Sequence, residues 1–373
     1  MRWSKRSAGV PPALVRTSLC RSGRSRGAAG VLCFVLISFL LVSATGSELT
    51  TSFVYKKKYV MGTVFEIVAY DESPVRASDA IDKAFQEIVR LDEVMSNYNS
   101  ASALSRLNRS AHFHAEVVPH DLYRVIEESL LYSRLSGGKF DISVAPLVNM
   151  WKAAMRGEHV PSSTEEENLR RCVGYQNIAL FPPDKIEFRS PCLQIDLGAI
   201  GKGYAVDRAV EILRSYGVER ALINAGGSTI YAMGSPPGQK AWLVHLRDPS
   251  KKVDPRAMLC DDSVSTSEQT PASLLGSNSA GHIVDPETAT PSRTTFAVSA
   301  IAKTATASDA LSTTLLLIGP EKGKAMIKSM ADAGAIWVSP SGETEAASNG
   351  PQILLGRGLQ EKSVGEDLRS KLR

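Results

Sequence analysis

Cysteine is scarce in this chain, five residues among 373, and no two of them form a C-x-x-C pair. That argues against a thiolate zinc site. Long hydrophobic runs are also lacking: "VLCFVLISFLLV" at 31–42 is twelve residues, short of the ~20 that a membrane-spanning helix needs. Beyond residue 46 there is no excess of basic charge. Seven of the 43 basic residues lie in 1–46 without an acidic one, which leaves 36 basic against 39 acidic residues in the remainder. The remainder carries no footprint for nucleic acid. The familiar phosphate loops are missing too. A Walker A loop ending at Lys202 requires glycine at 196 and Ser or Thr at 203, where Asp196 and Gly203 stand. A dinucleotide fingerprint beginning at Gly201 requires glycine at 206, where Val206 stands. A nicotinamide dehydrogenase is therefore disfavoured.

What the chain does have is 43% hydrophobic residues over a length that can bury one substantial core, in one large domain or two intimate ones. Its first 46 residues combine a basic flank, an apolar centre and the small-residue exit "SATGS", the parts of an export signal cleaved near Ala44 or Gly46. An uncleaved anchor, with membrane association through this segment, and an organelle transit peptide are the two rival readings. Export would permit a disulfide between Cys172 and Cys192; buried free thiols are the other reading.

The segment "SFVYKKKYVMGTVFEIVAY" (52–70) predicts two strands or one bulged strand around Met61-Gly62-Thr63. Apolar residues at helical spacing predict helices over 76–95, 121–136, 204–216, 305–318 and 321–332, with Gly137-Gly138 as a C-terminal cap. "RALINAGG", "AWLVHLRD", "FAVSAIA" and "AIWVSP" read as strands, so the fold class is α/β or α+β. The polar stretch 157–190 reads as a connection holding a short capped helix, and the tail from 340 to 373 as loose.

Chemistry concentrates in four places. "IDLGAIGKGYAVD" (195–207) places three glycines, Asp196 and Lys202 before a helix, where backbone N–H groups and a lysine suit an anion; a glycine turn capped by Asp196 is the plainer reading. In "TASDALSTTLLLIG" Asp309 and Thr313 share a helix face. With carbonyls and water they form an oxygen-only set suited to Mg²⁺; a helix cap or a solvated pair is the plainer reading. "GHIVDPETATP" pairs His282 with Asp285, and an imidazole with pKa near ~6.5 is a natural general base for a hydroxyl nucleophile; a structural loop histidine is the plainer reading. "GGKFDISVAPLVNMW" offers Asp141, Phe140 and Trp151, which frame an aromatic ligand or simply pack.

These blocks, together with "YVMGTVFEIVAY", "MSNYNSASALSRLN", "ALINAGGSTIYAMG" and "VSAIAKTATASDALSTTLLLIG", occur in order over roughly 55–320. The chain resembles the ApbE family of FAD:protein FMN transferases. The resemblance implies a single compact ApbE-like domain over 47–339, possessing two intimate subdomains at most. It implies an exported enzyme of the cell envelope that uses FAD as substrate with Mg²⁺, transfers FMN through a phosphodiester to a Thr or Ser hydroxyl of an acceptor flavoprotein in a membrane redox complex, and releases AMP. By motif match, Met61, Tyr98, Lys139, Phe140, Asp141, Asp196, Lys202 and Ile283 contact FAD. Asp309, Thr313 and the carbonyl of Ala199 hold the metal, and His282 deprotonates the acceptor. Two positions depart from the pattern: Glu268 and Ala289 stand where relatives carry glycine. A Mg²⁺-dependent FAD pyrophosphatase and a non-catalytic flavin-binding envelope protein are the competing functions.

Overall fold

The computed structural model describes residues 52–269 and 283–357. The chain separates into Met1–Gly46 and Ser47–Arg373, and every described residue belongs to the second unit. The leader and His282 lie outside the described residues.

The described residues begin with two strands, β1 (Ser52–Val60) and β2 (Thr63–Asp71), joined by the two-residue turn Met61-Gly62. Both turn residues have positive φ, 51° and 73°, the backbone that matches the twist of a hairpin. Next come α1 (Pro74–Met95), α2 (Ala103–Ser110), β3 (Glu116–Val117) and α3 (His120–Leu135). Serines 73 and 102 cap α1 and α2 through their side chains. Helix α3 ends on Gly137 and Gly138, both left-handed, with the Gly138 N–H donating to the Ser133 carbonyl. Then follow α4 (Ala145–Met155), α5 (Ser163–Arg170), β4 (Ile178–Phe181), β5 (Lys185–Phe188) and α6 (Gly201–Ser215). The last part comprises β6 (Arg220–Ala225), β7 (Thr229–Met233), β8 (Trp242–His245), β9 (Val253–Leu259), β10 (Asp262–Glu268), β11 (Ala297–Ala302), α7 (Ala305–Ser329), β12 (Ala333–Val338), β13 (Thr344–Asn349) and β14 (Gln352–Arg357).

Eight strands form one sheet in the order β1-β2-β6-β7-β10-β11-β12-β13, and two three-stranded sheets run β14-β9-β8 and β3-β5-β4. Every strand ladder among the described residues is antiparallel, so of the two expected classes the fold is α+β. The large sheet is covered on both faces over β11 and β12, whose residues are all buried. Side-chain alternation sorts them. Val298, Ala300, Ala335 and Trp337 join the core with α1, α6 and α7, while Ile301, Ile336 and Val338 join the core with β8 and β9.

Helix α7 is broken at Gly319, which has φ 75° and ψ 172°, and Pro320 follows. This agrees with the two helices expected on either side of that point. Among the described residues no helix is long and apolar enough to cross a membrane.

Two expectations need correction. The tail is ordered through Arg357: β13 pairs with β12 from Ala333↔Asn349 to Val338↔Thr344, and β14 pairs with β9. Its Gly, Ser and Glu content reflects exposure at sheet edges, and partner strands supply the order. The connection at 157–190 holds β4 and β5 as well as the capped helix α5, and a disulfide joins Cys172 to Cys192.

Candidate active site

The helix pair α6–α7 sets the centre of the site. Gly203 lies in the first turn of α6, and a Cβ there would meet the Ala305 carbonyl oxygen at 2.3 Å and the Asp309 Cβ at 2.8 Å. Glycine is required by close approach of two helices, not by an unusual φ. The contact lets the Gly203 N–H donate to Asp309 Oδ2 at 3.0 Å, while the Thr229 hydroxyl donates to Oδ1 at 3.4 Å. Asp309 is 5% exposed, and among the described residues no lysine or arginine pairs with it. Thr313, one turn further, shares a hydrogen bond of 3.0 Å with the Ser267 hydroxyl of β10.

Asp309 and Thr313 open onto a cavity of about 590 Å³. Lys139, Phe140, Asp141, Asp196, Ala199, Lys202 and Ile283 line it with them, so nine of the sequence-derived residues converge on one space from four separate segments. Asp196 Oδ1 accepts the Gly198 N–H at 2.6 Å, and Lys202 Nζ donates to the Gly198 carbonyl at 3.2 Å. The turn is therefore tied by both charged side chains, and it presents Ala199 to the cavity.

Lys139 spans the cavity wall. Its ammonium reaches Asp285 at 2.7 Å and Glu287 at 2.6 Å, which ties the loop after α3 to the 285–287 turn. Burial by itself would lower its pKa, but the bonds and charges of both carboxylates raise it, so Lys139 is held as a cation. Asp141 accepts from the Ser143 N–H and hydroxyl and from the Tyr175 N–H. Burial pushes its pKa up, and these three donors oppose the shift.

Two expected residues stand apart, and a third is not described. Met61 is on the β1–β2 turn, donates its N–H to Asp92, and is not among the cavity-lining residues; its side chain reaches toward Gly201 of α6. Tyr98 is 89% exposed and meets the cavity only through Lys152, whose ammonium lies 5.9 Å from the ring centroid. His282 lies outside the described residues; its neighbour Ile283 lines the cavity. Trp151 packs and does not line the space: its ring N–H donates to the Ala289 carbonyl at 2.9 Å. Ala289 has φ 60°, a left-handed backbone that explains why glycine suits this position.

The sequence reading passed over Lys152, Arg247, Thr266, Ser267 and Gln269. Arg247 and Glu268, both on the cavity lining, form an ion pair at 2.7 Å. Gln269 donates to the Ile283 and Ser292 carbonyls and accepts the Ile283 N–H. It fixes the position of Ile283. No local pattern marks these residues, because their partners are distant in sequence.

Lys139, Lys152, Lys202 and Arg247 line the cavity together with Asp141, Asp196, Glu268 and Asp309; Lys139 and Arg247 are ion-paired, which leaves Lys152 and Lys202 as the lining cations without a carboxylate partner among the described residues. Such a space suits a ligand with an anionic part, toward Lys152 and Lys202, and an apolar part, against Phe140, Val148, Ile283 and Leu317. No cluster of three His, Cys, Asp or Glu side chains that could hold a metal occurs among the described residues. The donors at Asp309 and Thr313 are oxygens, which fit a hard divalent cation and not a zinc or iron centre.

Comparison with known proteins agrees with the geometry. The model of the ApbE family matches residues 61–337. The FAD:protein FMN transferase of Treponema pallidum is 27% identical over 339 residues, covering 86% of this chain and 92% of that protein. That of Escherichia coli K12 is 27% identical over 301 residues, covering 75% and 85%. Among solved structures, the flavin transferase ApbE of Vibrio cholerae superposes with a TM-score of 0.70 at 24% identity, over 80% of this chain and 98% of that one. The apo flavinyl transferase ApbE of Pseudomonas stutzeri gives 0.69 at 25% identity, over 80% and 96%. With the match running from the hairpin turn into β12 and so including both α6 and α7, this chain is an enzyme and belongs to the ApbE family.

Proposed function

We propose that this enzyme transfers FMN from FAD to a Thr or Ser hydroxyl of an acceptor flavoprotein through a phosphodiester bond and releases AMP, with Mg²⁺ held by Asp309, Thr313 and the Ala199 carbonyl. The observation that carries the reading is Asp309: a buried carboxylate without a cationic partner among the described residues, lining the same cavity as Thr313 and Ala199. A buried charge of this kind is stabilised by a counter-ion. Bound there, Mg²⁺ would supply Lewis acidity at the pyrophosphate and stabilise negative charge on the leaving group.

The protein's own groups do the rest. Lys202, Lys152 and Arg247 attract the phosphates, and Phe140 with Ile283 shelters an aromatic ring. Lys139, held by Asp285 and Glu287, keeps the two walls at a fixed spacing. His282 takes the proton from the acceptor hydroxyl as its oxygen bonds to the FMN phosphorus and the bond from that phosphorus to the AMP oxygen breaks. Residues 1–46 direct the chain out of the cytoplasm to the cell envelope, where the acceptor is a subunit of a membrane redox complex. The catalytic domain then runs from residue 47 through β14.

AMP release from FAD tests the assignment, measured with Mg²⁺, with a chelator, and in Asp309→Ala. The reading requires Mg²⁺-dependent release that falls about 10²-fold or more in Asp309→Ala, roughly 2.7 kcal/mol of transition-state stabilisation. Undiminished release by Asp309→Ala in Mg²⁺ refutes it.

A further inference from the structure

Helices α6 and α7 exchange backbone hydrogen bonds reciprocally. Asp309, four residues after Ala305 on α7, accepts the Gly203 N–H of α6 at 3.0 Å. Asp207, four residues after Gly203 on α6, accepts the Ala305 N–H of α7 at 2.7 Å. It also takes the Thr306 N–H at 2.8 Å and the Thr306 hydroxyl at 2.6 Å. Each helix thus places one carboxylate on the first turn of the other. The missing Cβ of Gly203 is what lets the pair approach closely enough.

Asp207 does not line the site cavity. It faces a second space of about 340 Å³ with Arg208, Thr304 and Thr306. It shares the capping of α7 with Thr304: the Thr304 hydroxyl accepts the Ala307 N–H at 3.1 Å, and Asp207, from another helix, takes the Ala305 and Thr306 N–H groups. Bonds from another helix also constrain the angle and register at which α7 crosses α6. That register decides where Asp309 and Thr313 point, since both follow within two turns on the same rigid rod.

We propose that Asp207 is a positioning residue for the divalent-cation site, acting by fixing α7 against α6 so that Asp309 and Thr313 converge. The inference rests on the cation reading of the site. Removing groups that orient a metal ligand costs typically 10–100-fold in affinity, and Asp207 acts in that way one helix away.

The test is direct binding of Mn²⁺, read by the loss of the free-ion paramagnetic resonance signal, together with kcat and KM for FAD at saturating metal. The variants are Asp207→Ala, Asp207→Asn, Thr306→Val and Thr304→Ala. Asp207→Ala is expected to weaken Mn²⁺ binding about tenfold or more. Asp207→Asn and Thr306→Val, which keep part of the exchange, are expected to fall between it and the wild type. Thr304→Ala removes the local cap of the same helix and is expected to lower thermal stability while leaving Mn²⁺ affinity within twofold. Equal weakening in Thr304→Ala and Asp207→Ala would assign the effect to general loss of helix stability and overturn the proposal. So would unchanged Mn²⁺ affinity in a folded Asp207→Ala. Failure of the wild type to bind Mn²⁺ overturns the cation reading itself, an outcome distinct from either.

Discussion

Replacing Gly203 with alanine inverts an ordinary expectation. Inside a helix, Gly→Ala normally stabilises by about 1 kcal/mol. Here the added Cβ would lie 2.3 Å from the Ala305 carbonyl oxygen, whereas ordinary contact begins at 3.4 Å, so α6 and α7 must part by about 1 Å. Overpacking of this kind costs about 1–3 kcal/mol. Parting also breaks the Gly203 bond to the Asp309 carboxylate, worth about 1.5–3 kcal/mol as a bond to a charged group. Less the roughly 1 kcal/mol of helix propensity, the net expectation is destabilisation by about 1.5–5 kcal/mol, together with weaker cation binding. Gly201 provides the control on the same helix turn. A Cβ there meets only Leu197 at 3.6 Å and Met61 at 4.0 Å, so Gly201→Ala should be neutral or slightly stabilising. Urea titration at constant m-value measures both variants. A Gly203→Ala protein as stable as Gly201→Ala would refute the reasoning from helix approach.

Further outcomes follow from other contacts. Cys172→Ser with Cys192→Ser opens a disulfide spanning 20 residues in sequence and should cost about 3 kcal/mol by denaturant titration; an unchanged midpoint contradicts a structural role. Hydrogen bonds from Arg90 hold Glu87 below its usual pKa. At Asp121, burial raises the pKa, but bonds from Arg90 and Tyr204 outweigh it, so that group also ends lowered. Both carboxylates then contribute stability that is present above the ordinary carboxylate range near pH ~4 and is lost as pH falls through the lowered folded-state values. Arg90→Gln should flatten the acid limb of a stability-against-pH curve, and an identical acid limb in that variant would refute the assignment. Lys139→Met should raise KM for FAD more than it lowers kcat, because it releases the Asp285 and Glu287 anchors; steady-state kinetics distinguishes this from a purely chemical role.

How much of this was legible in the sequence differs by element. The β1–β2 hairpin could be read because a β-rich pattern breaks at Met61-Gly62, and the structure shows those two residues as its turn. Asp309 and Thr313 could be placed on one helix face by spacing alone. The reason for Gly203 could not, because the clash it avoids is with a helix a hundred residues away. Strand β10 escaped notice because its inward face is Ser263, Ser265 and Ser267, which meet Ser308, Ser312 and Thr313 through hydroxyl bonds and not through apolar packing. An alternation of hydroxyls leaves no hydrophobic period to detect. Strands β13 and β14 were hidden for a related reason: their order comes from pairing with β12 and β9, which composition does not record. Arg247 and Gln269 gained their places only through non-local partners.

The central claim is most directly tested by intact mass spectrometry. An unmodified flavoprotein subunit of a membrane redox complex is incubated with this enzyme, FAD and Mg²⁺, and AMP is assayed in the same mixture. The account predicts a mass increase equal to one FMN attached through a phosphodiester, matched mole for mole by AMP and abolished by a chelator. Stoichiometric free FMN and AMP with no adduct on any such subunit would contradict it and establish an FAD pyrophosphatase; unchanged FAD would leave a flavin-binding protein.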